Sequence, residues 1–291
     1  MRKLMIGCGY LGERVASMWK ADGDEVTVMT RSLERAERLA SIGFKPVIGD
    51  VMQPQTLNQL PRADVVLYAV GFDRSSGHAK HAVYVDGLRN VLAEIGSRCQ
   101  RLIYISSTSV YGQNSGELID ESSPAESHEE NGRICREAES VVWEFFDRTA
   151  ARESRGAIIL RLAGIYGSGR LLTRIEQLRR GEPLSGNPEA WLNLIHVDDA
   201  VRAIKAAEQR GRPGETYLVS DDRPLRRVEY FSALAEKVGA PPPRFVELAA
   251  DAIERRQFNK RCDNRRLRQE LGVELQYPTV IDGLAALPEL P

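Results

Sequence analysis

Six residues near the start of the chain, Gly7-Cys8-Gly9-Tyr10-Leu11-Gly12, restrict its fold more than any other feature. They read G-x-G-x-x-G. A short apolar run at residues 3–6 leads into them, and residues 13–20 follow with Val15, Met18 and Trp19 at helical spacing. A glycine loop between a strand and a helix has a steric and an electrostatic logic. The first glycine allows a tight turn, the second lets a pyrophosphate approach the backbone, and the third lets the helix pack closely on the strand. The helix N-terminus then offers N–H groups to the anion. Alone the pattern is weak, and its place after a strand and before a helix turns it into a dinucleotide-binding loop.

The rest of the first half repeats this rhythm. Residues 25–29 (EVTVM) form the next strand, Ser32 caps a helix carrying Leu33, Ala36 and Leu39, and residues 45–48 form a third strand. Residues 63–70 (ADVVLYAV) are almost continuously apolar, as a strand buried on both faces should be. A helix over about 79–95, a strand at 101–106, a helix from 131 to about 150 and a strand at 157–162 follow. The alternation predicts an α/β fold, a Rossmann-type doubly wound parallel sheet with helices on both faces. After Gly167 the punctuation changes to Gly181, Pro183, Gly186 and Pro188, and later to Pro241-Pro242-Pro243. Residues 1–167, with 192–220 returning to them, form the expected dinucleotide-binding domain. Residues 168–191 and 221–291 form a smaller C-terminal α+β substrate domain.

Composition narrows the function. Lys and Arg total 40 against 41 Asp and Glu, a net charge of −1, which lacks the basic excess of a nucleic-acid binder. No apolar run approaches the ~20 residues of a membrane span, and the stretch before the first glycine is too short for a signal peptide. Cys8, Cys99, Cys135 and Cys262 form no CxxC pair, so four reduced thiols in a cytoplasmic protein are expected. His78 and His81 have ligand-like spacing, but no cysteine or carboxylate cluster supports a metal there, and none is expected.

The end of the second strand selects between cofactors. An acid there would bond a ribose 2′-hydroxyl and favour NAD(H). This chain has Thr30-Arg31-Ser32, a hydroxyl and a guanidinium suited to a 2′-phosphate, so NADP(H) is favoured over NAD(H).

Several ordered segments carry a wider resemblance. They are the glycine loop, Gly49-Asp50-Val51, Tyr84-Val85-Asp86-Gly87, Ile105-Ser106-Ser107-Thr108-Ser109-Val110-Tyr111-Gly112, Leu160-Arg161-Leu162-Ala163-Gly164-Ile165-Tyr166-Gly167 and Leu194-Ile195-His196-Val197-Asp198-Asp199. Asp263-Asn264-Arg265-Arg266-Leu267-Arg268 adds a C-terminal match. Together they resemble the extended short-chain dehydrogenase/reductases, the nucleotide-sugar epimerase/dehydratase group. The resemblance implies that Gly7, Gly9, Tyr10, Leu11 and Gly12 cradle the dinucleotide. It implies that Asp50, followed by Val51, contacts adenine, and that Ala69, Val70 and Gly71 lie along the ribose and phosphates. It implies a hydroxyl at Ser107 polarising the substrate oxygen, and a homodimer built on the two long helices.

The resemblance breaks at the proton relay. The family pairs a tyrosine with a lysine at i and i+4 on the helix after the fifth strand. Asn131 and Cys135 hold those positions here, in a branch lacking the usual pair. The chemistry needs a phenol whose pKa is lowered by an adjacent ammonium, and neither an amide nor a thiol provides that. Arg136 is one residue on and so points about 100° around the helix. Three outcomes stay open: Tyr111 or Tyr166 acts as donor, Cys135 is a redox-responsive thiol, or the chain binds dinucleotide without turnover. The expected activity is an NAD(P)-binding oxidoreductase or epimerase acting on a nucleotide-sugar-like or other small substrate. The alternative is a non-catalytic redox-sensing or regulatory protein. The basic cluster over 255–268 either faces an anionic substrate or is a solvated helix face.

Overall fold

A seven-stranded sheet organises the chain. The computed structural model describes residues 1–96, 98–146, 155–170, 172–246 and 258–288. The first five strands are β1 (Arg2–Ile6), β2 (Glu25–Thr30), β3 (Lys45–Ile48), β4 (Ala63–Tyr68) and β5 (Cys99–Ser107). Their order in the sheet is β3, β2, β1, β4, β5, followed by Gly156–Leu162 and then Thr216–Val219. All pairings among the first five are parallel, with Ile6 opposite both Met29 and Tyr68. The helices α1 (Tyr10–Ala21), α2 (Leu33–Ser41), α3 (Gly87–Ile95) and α4 (Glu130–Phe145) complete the α/β pattern. Apolar side chains of β1, β4, β5, α3 and α4, among them Ile6, Val66, Val91, Leu102 and Val142, form one buried core. This is the doubly wound parallel architecture that the alternation predicts, and its strands start and end within about two residues of expectation.

Local chemistry explains several boundaries. The Ser32 hydroxyl accepts from Arg35 N at 3.2 Å and so caps α2. The helix entered near residue 80 passes through one π turn, Ala82–Asp86, before α3. Gly87 stands at that junction because a Cβ there would lie 2.7 Å from Val51 Cγ2. Lys3, counted in the first apolar run, is fully buried. Its ammonium pairs with Glu208 and lies 5.5 Å from the Trp19 ring centre, while Trp19 Nε1 donates to Glu208 at 2.6 Å. The last part of the helix expected to reach 150 lies outside the described residues, and α4 ends at Phe145.

Two compact units divide the chain. The first comprises residues 1–107, 133–161 and 203–217. The second comprises 108–132, 162–202 and 218–291, and differs from the boundary at Gly167 that punctuation alone suggests. The difference has a backbone cause inside the second unit. Glu117–Ile119 pairs with Lys260–Cys262, and Gly164–Tyr166 pairs with Leu194–His196, so both early segments are held by later ones. Helix Arg227–Lys237 adds Tyr230, Phe231 and Leu234 to a second core with Tyr166, Val280 and Leu284. Among the described residues no helix is long and apolar enough to cross a membrane, and no group of His, Cys, Asp and Glu is arranged to hold a metal.

Candidate functional site

The glycine loop gives each glycine a separate reason to be glycine. Gly7 has φ +96°, and a Cβ there would lie 2.4 Å from the Ala69 carbonyl carbon. Gly12 packs against the loop itself, where a Cβ would meet Gly7 O at 2.3 Å. Gly9 is extended, and a Cβ built on it meets nothing within 4 Å. Gly71 likewise faces open space. The backbone at Gly9 is therefore bare where an anion would approach, and α1 begins there with no side-chain cap. This cradle fits a dinucleotide pyrophosphate. Leu11 is buried beneath it, and Tyr10 carries the Arg14 guanidinium over its ring at 4.1 Å. Cys8 is buried too, and burial pushes its thiol up to about 11.

The flanking segments lie as the strand order requires. Thr30 is buried, and its carbonyl accepts from Gly49 N at 3.0 Å, which carries the chain from β3 toward Asp50. The Asp50 carboxylate accepts from Met52 N at 2.9 Å, while Asp50 N donates to Thr56 Oγ1 at 2.9 Å. Val51 is buried against α3, and its carbonyl accepts from Asn90 Nδ2 at 2.8 Å. Ala69 N donates to Ile6 O at 2.7 Å, so Ala69, Val70 and Gly71 continue β4 past the glycine loop. Phe72 N then donates to the Tyr84 hydroxyl at 3.2 Å. Arg31 reaches away from α2 and pairs with Asp73 at 2.9 Å. A second cation, Arg35, donates to the carbonyl of Cys8 in the loop. Sequence reasoning missed Arg35; its signal was a second arginine one turn beyond the cap of α2.

The face of α4 that carries the family's relay positions is anchored by a buried ionic group. Asn131, Cys135 and Glu139 recur at i, i+4 and i+8. Glu139 is completely buried. It accepts from Ser106 Oγ at 2.6 Å and from Arg161 Nε and Nη2 at 2.9 and 2.7 Å. Arg136 adds a contact at 3.7 Å. This pairing escaped the sequence reading, although Ser106 and Arg161 both stand in motif segments of the chain. Asn131 is exposed and Cys135 buried. Ser107, at the last position of β5, is half-buried. The two tyrosine candidates are core side chains with no exposed surface. The Tyr166 hydroxyl donates to Thr279 O at 3.4 Å, its ring meets His196 edge-on at 5.1 Å, and burial raises its pKa strongly. Tyr111 N donates to Thr108 O at 3.3 Å, and its carbonyl accepts from Lys260.

Comparison with known proteins decides the assignment. The model of the NAD dependent epimerase/dehydratase family matches residues 4–220, well over half of the chain. The chain belongs to that family. Protein YeeZ of Escherichia coli (strain K12) is 28% identical over 288 residues, covering 96% of this chain and 97% of YeeZ. A 4-hydroxy-2-methyl-3-oxo-4-farnesyl-3,4-dihydroquinoline-1-oxide ketoreductase of Stigmatella aurantiaca is 25% identical over 244 residues, covering 80% and 72%. DesIV, the dTDP-glucose 4,6-dehydratase of Streptomyces venezuelae, superposes with a TM-score of 0.81 at 23% identity, over 98% of this chain and 95% of DesIV; the likeness is one of fold.

As a member of the epimerase/dehydratase family, the chain has an NAD(P)-binding, oxidoreductase-like role. Within its second unit, two buried ionisable groups had gone unremarked. Lys260 donates to Tyr111 O at 2.5 Å, and burial lowers its pKa to about 8. Asp221 is buried with Oδ2 unbonded among the described residues, and burial, reinforced by Asp222 and Asp199, raises its pKa to about 8. The described part of the basic cluster is largely neutralised locally. Arg265 pairs with Asp263 at 2.6 Å, Arg266 with Glu270 at 2.7 Å and Arg268 with Asp222 at 3.7 Å. That pairing favours the solvated-face reading for 265–268, while Arg255 and Arg256 lie outside the described residues. His81 pairs with Glu137 at 3.0 Å.

Proposed function

We propose that the chain is an NADP(H)-dependent oxidoreductase of the epimerase/dehydratase type acting on a nucleotide-sugar-like or other small-molecule substrate. The observation that carries this reading is the bare Gly9 backbone at the start of α1, with Arg35 bonded to the loop carbonyl of Cys8 and Arg31 directly after β2. First-turn N–H groups of α1 bind the pyrophosphate, Arg31 takes the 2′-phosphate and Asp50 meets the adenine. Ala69, Val70 and Gly71 border the ribose. A nicotinamide bound there supplies the hydride acceptor or donor. Ser107 Oγ donates to the reacting oxygen of the substrate and polarises its C–O bond. Carbonyl reduction of a small molecule finds support in the ketoreductase relative, and a nucleotide-sugar-like substrate in the motif segments of the family.

Asn131 and Cys135 favour a second reading, a non-catalytic redox-sensing or regulatory protein that binds the same dinucleotide. Calorimetric titration with NADPH and NADH, followed by loss of reduced-nicotinamide absorbance across a panel of nucleotide sugars and simple ketones, separates the two. Binding with turnover supports the enzyme; binding without turnover on any substrate supports the second reading. Absence of binding to either cofactor overturns both. A cytoplasmic homodimer through α3 and α4 completes the proposal, with the exposed Phe145 on α4 as its apolar contact. A monomer mass by light scattering at micromolar concentration counts against the dimer.

A further inference from the structure

The ion pair between Arg31 and Asp73 occupies a particular place in the first unit. In the sheet β1 lies between β2 and β4. Arg31 directly follows β2, and Asp73 stands in the loop beyond β4. Their 2.9 Å contact therefore crosses above the carboxyl end of β1, the end from which the glycine loop rises. A dinucleotide on that loop has its adenosine ribose at the end of β2, next to Arg31.

The pair is well aimed and weakly held. Asp73 Oδ1 accepts from Ser75 N at 2.9 Å and from Ser75 Oγ at 2.6 Å, which fixes the carboxylate and leaves Oδ2 for Arg31. Those bonds from Ser75, with the one from Arg31, hold the Asp73 carboxyl at about 2, so it is charged at neutral pH. Both partners are about half exposed, and such pairs contribute little net stability. Glu13, the acid in the first turn of α1, is already engaged by other arginines. Glu13 is taken bidentately by Arg38 at 3.1 and 2.5 Å, and Arg35 sits 3.5 Å from it while bonding Cys8 O. A 2′-phosphate brings close to two negative charges and several acceptor oxygens to the same guanidinium.

We propose that Asp73 is a specificity-setting residue, a built-in competitor that holds Arg31 until a 2′-phosphorylated dinucleotide displaces it. It thereby limits affinity for NADP(H) and leaves NAD(H) binding nearly untouched. The proposal rests on the reading of Arg31 as the 2′-phosphate ligand, and a double-mutant cycle distinguishes failure of one from failure of the other. Asp73→Asn keeps the acceptor for Ser75 and removes the charge that competes. Titration calorimetry on folded protein, with NADPH, NADH, adenosine 2′-monophosphate and adenosine 5′-monophosphate as probes, reads the outcome.

Asp73→Asn should tighten NADPH and the 2′-monophosphate by about two- to fivefold, the scale set by an exposed ion pair, and leave NADH and the 5′-monophosphate nearly unchanged. The gain should vanish in an Arg31→Ala background. Equal tightening of all four probes would mean that the pair is a steric strap and would overturn the competitor assignment, as would no change or weakening of NADPH. If Arg31→Ala alone leaves NADPH affinity unchanged, the reading of Arg31 is what fails.

Discussion

At the residue scale the three loop glycines separate folding from binding. Gly7 and Gly12 are required by contacts within the protein, since a methyl group on either would strike backbone within 2.4 Å. Gly9 has no such contact and no positive φ. Gly9→Val should therefore fold with a near-parental melting temperature while losing dinucleotide binding, because the added side chain fills the pyrophosphate approach. Gly12→Ala should instead lower the melting temperature. Retained cofactor affinity in folded Gly9→Val would remove the loop from the site. The packing roles of Gly7 and Gly12 were legible in the sequence because the constraint is steric and acts over six residues. The engagement of Arg31 with Asp73 was not, since the partners lie 42 positions apart and no local pattern links them.

At the element scale the α4 face that carries Asn131 and Cys135 is anchored by Glu139. Glu139 fixes the register of α4 against β5 and Gly156–Leu162 through Ser106 and Arg161. Removing one member strands a buried guanidinium, so Glu139→Ala should cost about 3–5 kcal/mol, read by denaturant unfolding. A loss below about 1 kcal/mol would show that α4 is held by its apolar face alone. The same anchoring makes a restoration test meaningful. Asn131→Tyr with Cys135→Lys places the family's pair one turn apart on a face already held in register. The double variant should gain carbonyl reduction at unchanged NADPH affinity, since acid–base assistance is worth about 10²–10⁴-fold. Rapid turnover by the parent, left intact by Ser107→Ala, would place the active centre elsewhere.

At the scale of the whole molecule, two buried groups of the second unit set opposite slopes of stability against pH. Asp221 has a folded pKa of about 8, above the ~3.9 of an unfolded aspartate. The folded state then holds the extra proton, so stability falls as pH rises from about 4 to about 8. Lys260 has a folded pKa of about 8, below the ~10.4 of an unfolded lysine. Here the unfolded state holds the extra proton, so stability rises again from about pH 8 to about 10. Thermal unfolding across this range should show the fall flattened in Asp221→Asn and the recovery flattened in Lys260→Met. Unchanged slopes in both variants would mean that neither group titrates as its burial implies.

The sequence by itself determined the strand–helix alternation, the parallel α/β sheet, the glycine loop and the family, because each depends on short-range periodicity or on a motif a few residues long. It also exposed the missing tyrosine and lysine, since absence at a fixed spacing is a local fact. Only the tertiary structure decided that Tyr111 and Tyr166 are core side chains. It alone joined Ser106 to Glu139 and Arg161, set Arg31 against Asp73 and buried Lys260 beneath the carbonyl of Tyr111. Each of these depends on which distant segments the sheet order and the small strand pairs bring within a hydrogen bond of one another. Burial, which sets the charge state of Asp221 and Lys260, is a property of that packing and has no counterpart along the chain.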